Sequence, residues 1–222
     1  MNYTLDIGAV TRNFGPLLEG VWVTIQLTIA SNIVGIVFGF GVALLVLSRF
    51  AIVRLPATLF VEFFRCTPAI VQIVWFFYCV PMLFNIYLGP ITMGILALGL
   101  NLVAFNAEAY RAAIQAVARE QLDAGIALGL SPVQRIVNVV LPQAFRASVP
   151  VLLTNGIGSF QQSALVAIVG VQDLMYQGKM IATETYRPIE TFTAVALIYL
   201  AVSFPVSQLV GWMERRSGMA TR

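Results

Sequence analysis

The side chains in this sequence that could do chemistry are few and lie among apolar neighbours. Glu62, Arg65 and Thr67 fall in one apolar run, Asn101 and Asn106 in the next, and Asn155, Gln161, Gln162 and Ser163 in a third. There is no histidine, which removes the usual acid–base side chain near neutral pH and the commonest metal ligand. No GxxxxGK[ST] phosphate loop occurs, and Gly178-Lys179-Met180 does not stand in for one. No catalytic residue, metal site, bound cofactor or hydrolysis by this chain is expected. The amides and hydroxyls suit a polar path through an apolar bundle, and interhelical hydrogen bonds explain them equally well. Glu62 and Arg65, three apart on a helical face, fit either the mouth of such a path or an ion pair that fixes their helix.

The elements that must position these groups are membrane spans. Of 222 residues, 59% are hydrophobic and 10% charged, against roughly a quarter charged in a soluble domain; mean hydropathy is +0.87. Five apolar runs fall at about 17–47, 59–81, 91–113, 149–171 and 191–213, each near the ~20 residues a bilayer crossing needs. A tight turn is expected around Asn85, Gly89 and Pro90, and a polar connector from Asp173 to Glu190. Arg49, Arg54, Arg111, Arg119, Arg135, Arg146, Arg215, Arg216 and Arg222 sort to one side of the spans, against Arg12, Lys179 and Arg187 on the other. The arginine-rich side is expected to be cytoplasmic, with the N-terminus outside and the C-terminus inside. Cys66 and Cys79, thirteen apart in one predicted helix, lie about 20 Å apart along its axis and cannot bridge there. Gly35, Gly39 and Gly41 contain a GxxxG spacing that allows close helix approach. Trp75, Phe76, Phe77 and Tyr78 read as lipid-facing or packing residues near an outer interface. Basic clusters suited to nucleic acid are missing, and no cleavable signal peptide is expected. The chain reads as a single domain, 1–222.

One stretch between spans is amphipathic rather than apolar: Gln121 to Pro142. Leu122, Ile126 and Leu130 repeat every four residues, and Gly129 suits a turn. Ser131, Pro132 and Gln134 form an N-cap, a first-turn proline and a capping-box partner. Val133, Ile136, Val137 and Val140 then make one apolar face until Pro142, expected to close the second helix. So short a helix–turn–helix needs a partner surface or lipid. Its polar face offers few basic residues beyond Arg119 and Arg135, which favours protein over a lipid surface.

The order Asp123-Ala124-Gly125, three residues, Gly129, nine residues, Val139, one residue, Leu141-Pro142 resembles the EAA loop of bacterial ATP-binding-cassette importer permeases, with aspartate for glutamate and glycine for the second alanine. Leu18-Glu19-Gly20 through Thr24-Ile25-Gln26-Leu27 and Glu62-Phe63-Phe64-Arg65-Cys66-Thr67-Pro68 are similar to phrases of polar amino acid permeases, the latter with cysteine for glycine. Leu141 to Arg146 and Gly170-Val171-Gln172-Asp173-Leu174 resemble further such phrases. Gln161 stands where the family often carries lysine before its T-S-L phrase.

The resemblance implies an all-α integral membrane protein of the type I importer fold: five transmembrane helices and a cytoplasmic helix–turn–helix coupling loop at 121–142. It implies a bacterial inner membrane location and transport of an amino acid, polar by subfamily, by alternating access. Asp123, Ala124, Gly125, Leu128, Gly129, Leu130, Leu141 and Pro142 would meet an ATPase. The expected partners are a second permease chain, identical or related, two cytoplasmic ATPase subunits carrying ATP and magnesium, an extracytoplasmic solute-binding protein and the lipid bilayer. An ion-coupled transporter or channel, with Glu62 and Glu108 as its acids, and a non-transporting scaffold subunit are the alternative readings.

Overall fold

A computed structural model describes Asp6 and residues 8–216; Arg222 and the first five residues of the polar start lie outside them. In hydrocarbon only internal hydrogen bonds can satisfy the backbone, and the described residues are helices joined by short turns. In chain order these are α1 (Gly8–Arg12), α2 (Phe14–Val46), α3 (Ala51–Cys66), α4 (Ala69–Phe84), α5 (Pro90–Gln115), α6 (Arg119–Ala127), α7 (Pro132–Arg135), α8 (Leu141–Gln162), α9 (Leu174–Thr185) and α10 (Pro188–Arg216). A π turn, Ile136–Val140, joins α7 to α8, and a 3₁₀ segment, Ser163–Val169, follows α8.

Among the described residues, four apolar helical runs are long enough to cross a bilayer: Phe14–Val46, Pro90–Gln115, Pro132–Val169 and Pro188–Met213. The expected second span, 59–81, is not one helix. It is the pair α3 and α4, bent by 108° at Thr67-Pro68, because proline disfavours a helical residue before it. Helix α3 begins at Ala51 and carries Pro56 within it. Cys66 and Cys79 therefore belong to different helices, and both are free.

That the bent pair crosses the layer follows from the direction of its neighbours. A Cβ on Gly35 would lie 2.6 Å from Leu102 Cγ, and one on Gly39 2.9 Å from Asn106 Cβ and 3.2 Å from the Val103 carbonyl. Ser31 Oγ donates to the Ile95 carbonyl at 3.5 Å. Position advances along both helices together, so α2 and α5 are parallel, and α3 with α4 must return the chain between them. The GxxxG pair is Gly35 with Gly39; Gly41 faces open space.

Asn85 ends α4 in the left-handed region at φ 53°, and Gly89 precedes Pro90 at the first position of α5. The expected connector from Asp173 to Glu190 contains a helix, α9, lodged against α2 and α10. Leu17, Leu174, Ile181 and Val195 form its buried core. Phe76 and Phe77 pack partly buried on the cluster of Leu27, Ile73, Leu98 and Val166, whereas Trp75 and Tyr78 are exposed.

Candidate functional site

The amphipathic stretch folds as the sequence pattern dictates through its first turn. Helix α6 ends in a Schellman motif: the Leu130 N–H donates to the Gly125 carbonyl at 3.0 Å and the Gly129 N–H to the Ile126 carbonyl at 2.9 Å. Gly129 takes φ 72°, a conformation glycine adopts without a Cβ penalty. Ser131 and Gln134 make both bonds of a capping box, at 2.9 and 3.3 Å. Gly125 is the buried residue of α6. A Cβ there would lie 3.1 Å from Arg135 Cγ, so the aliphatic stem of Arg135 closes the angle between the two arms.

Pro142 does not close the second arm. The π turn lets the Leu141 N–H reach back to the Ile136 carbonyl, and the wider turn takes up the proline ring without ending the helix. The run from Pro132 to Val169 is therefore continuous over 38 residues. Gln143 Nε2 donates to the Val139 carbonyl at 2.9 Å and to Gln121 Oε1, tying α8 back to α6.

The two arms display Ile126 (55% exposed), Leu128 (79%), Val133 (70%), Ile136 (50%) and Val137 (51%). Asp123, Ala124 and Pro142 are exposed too, Leu130 and Leu141 half-buried. Of the expected apolar face of the second arm, Val140 alone is buried. Five large apolar side chains on one short rigid element exceed what scattered surface residues require.

The polar groups of the spans divide into three sets. At the bend, Gln72 Nε2 donates to Thr67 Oγ1 at 2.6 Å and to the carbonyls of Phe64 and Thr67 at 2.9 and 3.1 Å. Asn101 Nδ2 donates to Gln72 Oε1 at 2.9 Å and to the Phe64 carbonyl at 3.2 Å. These bonds take up the Phe64 and Thr67 carbonyls that the broken helix would otherwise strand. Gln72, absent from the sequence-derived candidates, is the centre of this set; its signal is a lone amide in an apolar run just after Pro68.

The second set surrounds a small cavity. Asn155 Nδ2 donates to Asn106 Oδ1 at 3.0 Å, and Asn101, Asn155, Ser159 and Gln162 line the space between α5 and α8. Gln161 is exposed, and Ser163 is buried with its hydroxyl donated to the Phe160 carbonyl at 2.7 Å. The third set lies toward the arginine-rich end. Arg65 and Glu62 approach to 3.8 Å. Arg111 holds Glu108 through Nε and Nη2 at 2.8 and 2.5 Å and gives Nη1 to Gln115 at 2.8 Å. Glu62, Glu108 and Arg111 share a cleft with Arg54, and the Arg65 guanidinium lies 5.9 Å from the centre of the Phe105 ring.

At the opposite end, Asp173 caps α9: its Oδ1 accepts from the Tyr176 N–H at 2.9 Å and its Oδ2 from Tyr199 Oη at 3.4 Å. The Leu174 N–H donates to Thr24 Oγ1 at 3.1 Å. Asp173 is fully buried, and burial pushes its carboxyl up to about 6 against the lowering effect of the Tyr176 and Met175 N–H groups.

A bundle of apolar spanning helices, one return made by a pair bent at Thr67-Pro68, with an exposed apolar helix–turn–helix at its arginine-rich end, defines a multi-pass membrane component. The chain belongs to the family of binding-protein-dependent transport system inner membrane components, whose pattern matches residues 35–218. It is 31% identical over 222 residues to the glutamate/aspartate import permease protein GltK of Escherichia coli O157:H7, covering 97% of this chain and 99% of that one. It is 35% identical over 192 residues to the arginine ABC transporter permease protein ArtQ of Haemophilus influenzae, covering 84% and 86%. A crystal structure of an amino acid ABC transporter with histidines superposes with a TM-score of 0.90 at 31% identity, covering 96% of this chain and all of that one. The chain is thus a multi-pass inner membrane component of the type I importer fold, in a family that works with ATPase subunits and a substrate-binding protein.

Proposed function

We propose that this chain forms the translocation path of an ATP-driven amino acid importer and passes the motion of a cytoplasmic ATPase to that path through residues 121–142. The observation that carries the reading is the continuous helix from Pro132 to Val169. The exposed Val133, Ile136 and Val137 lie near one end of it and the cavity residues Asn155, Ser159 and Gln162 toward the other. A shift of the docking arm tilts these side chains as one body, a rigid-body change biased by a partner. ATP and magnesium belong to the ATPase. The assembly we infer is two permease chains, two ATPase subunits and an extracytoplasmic solute-binding protein, with the arginine-rich end in the cytoplasm and the described helices acting as one domain.

Asp123, Ala124, Leu128 and Leu130 would meet the ATPase beside this face, Gly125 and Gly129 would set its shape, and Leu141 and Pro142 would join it to the span. Thr67 and Asn101 hold the bend rather than the substrate; Asn106, Asn155 and Gln162 are the better path residues. The test is co-purification from native membranes in mild detergent. The tagged chain should bring an ATPase with it, and Val133→Asp with Val137→Asp should lose it while the chain remains in the membrane. An ATPase retained by the double variant, or absent from the unaltered chain, overturns the reading.

A further inference from the structure

The cavity between α5 and α8 holds about 110 Å³, room for a few waters at ~30 Å³ each or for the polar end of a small side chain. Its polar lining is Asn101, Thr154, Asn155, Ser159 and Gln162, with Phe105 among the apolar wall. No ionised side chain lines it. Arg65 lies 5.9 Å from the Phe105 ring centroid and is engaged by Glu62 at 3.8 Å. Asn101, Asn106 and Asn155 fall near the middle of α5 and α8, away from both ends of the bundle.

Two buried polar atoms have no partner, one in the cavity lining and one on Asn106, which lies behind the lining residue Asn155. Ser159, 5% exposed, leaves Oγ buried and unbonded, and Asn106, fully buried, leaves Nδ2 unbonded while its Oδ1 accepts from Asn155. Buried polar atoms are almost always satisfied, and the exceptions mark a missing water or ligand. The groups on offer are amide and hydroxyl, able to give and to accept hydrogen bonds but carrying no charge. An uncharged amide or hydroxyl matches them. A carboxylate or guanidinium would leave water for neutral dipoles at mid-depth, without the counter-charge that makes burial of an ion tolerable.

We infer that this cavity takes the polar side chain of an uncharged amino acid, so that the path through this chain favours substrates with a carboxamide or hydroxyl over acidic and basic ones. The inference rests on the importer reading and adds to it the charge class of the substrate, which the glutamate/aspartate and arginine relatives, opposite in charge, leave open.

The test uses the importer purified through this chain from native membranes, placed in nanodiscs without its solute-binding protein. Equilibrium binding of radiolabelled glutamine, serine, glutamate and arginine is measured. Glutamine or serine is expected to bind at least about tenfold more tightly than glutamate or arginine, the scale on which a site built of hydrogen-bonding groups discriminates. Ser159→Ala should weaken that binding about tenfold, and Gln162→Lys, which supplies a cation, should raise glutamate relative to glutamine. Glutamate or arginine bound as tightly as glutamine, a ratio untouched by Gln162→Lys, or no amino acid retained at all would overturn the inference. Failure of the importer reading shows separately, as an absent ATPase.

Discussion

At the scale of single residues, Asp173, Gly129 and Ser131 each bear on stability. Asp173 is held above its unfolded range by burial, so the folded chain binds a proton more readily than the unfolded one. That contribution to stability is fully present below about pH 4 and is lost as pH rises through about 6. Thermal unfolding in detergent should therefore show the midpoint falling between pH 4.5 and 7, and Asp173→Asn should flatten the slope. Gly129, at φ 72°, should tolerate no β-branched side chain: Gly129→Val is expected to destabilise the turn by about 1–2 kcal/mol and reduce ATPase capture. Ser131→Ala removes one bond of the capping box and should cost the docking element about 1 kcal/mol, read as faster amide exchange at Gln134. Gly129, Ser131 and Pro132 are legible in the sequence because each answers a local backbone demand. Arg135 is not: its stem lies on Gly125 because of a close approach ten residues away, which no local rule encodes.

At the scale of elements, the crossing formed by α3 and α4 depends on Gln72. Four of its hydrogen bonds close the bend. Gln72→Leu keeps the volume but strands the Thr67 carbonyl and leaves Asn101 and the Phe64 carbonyl only their bond to each other, and is expected to lower stability by about 1–3 kcal/mol, measured as the denaturation midpoint of the detergent-solubilised chain. The α2–α5 pair gives a paired comparison: Gly39→Leu meets Asn106 and the Val103 carbonyl, whereas Gly41→Leu meets nothing. Overpacking of the first kind costs typically about 1–3 kcal/mol, and the second should be silent. Apolar runs announced the crossings, since length and hydropathy are set by the bilayer. Pro68 interrupts the expected second span near its start, where the structure puts a full break, whereas Pro142, expected to close its helix, is passed through. Both are prolines in helical surroundings, and the outcome was decided by what re-satisfies the backbone: Gln72 and Asn101 hold an actual break, while the π turn before Pro142 removes the need for one.

At the scale of the whole molecule, the parallel α2 and α5, the broken return between them, and one helix running from the docking arm to the polar cavity make the body that we propose tilts in response to a partner. Its spanning helices leave large apolar side chains such as Trp22, Ile33, Phe38 and Leu200 exposed, as expected where the surroundings are lipid or a second permease chain rather than water. The candidate polar residues were visible in the sequence, but their sorting into bend, cavity and charged cleft was not, because it depends on which face each presents to a neighbour on another helix. Docking of the ATPase on residues 121–142 is expected to drive transport. The measurement that tests it most directly is uptake of labelled amino acid into proteoliposomes that contain the purified importer and enclose ATP, with the natural chain and with Val133→Asp/Val137→Asp. Uptake that requires enclosed ATP and is lost in the double variant is the expected result. Uptake that proceeds without ATP, driven by an ion gradient alone, or that survives in the variant would contradict the account.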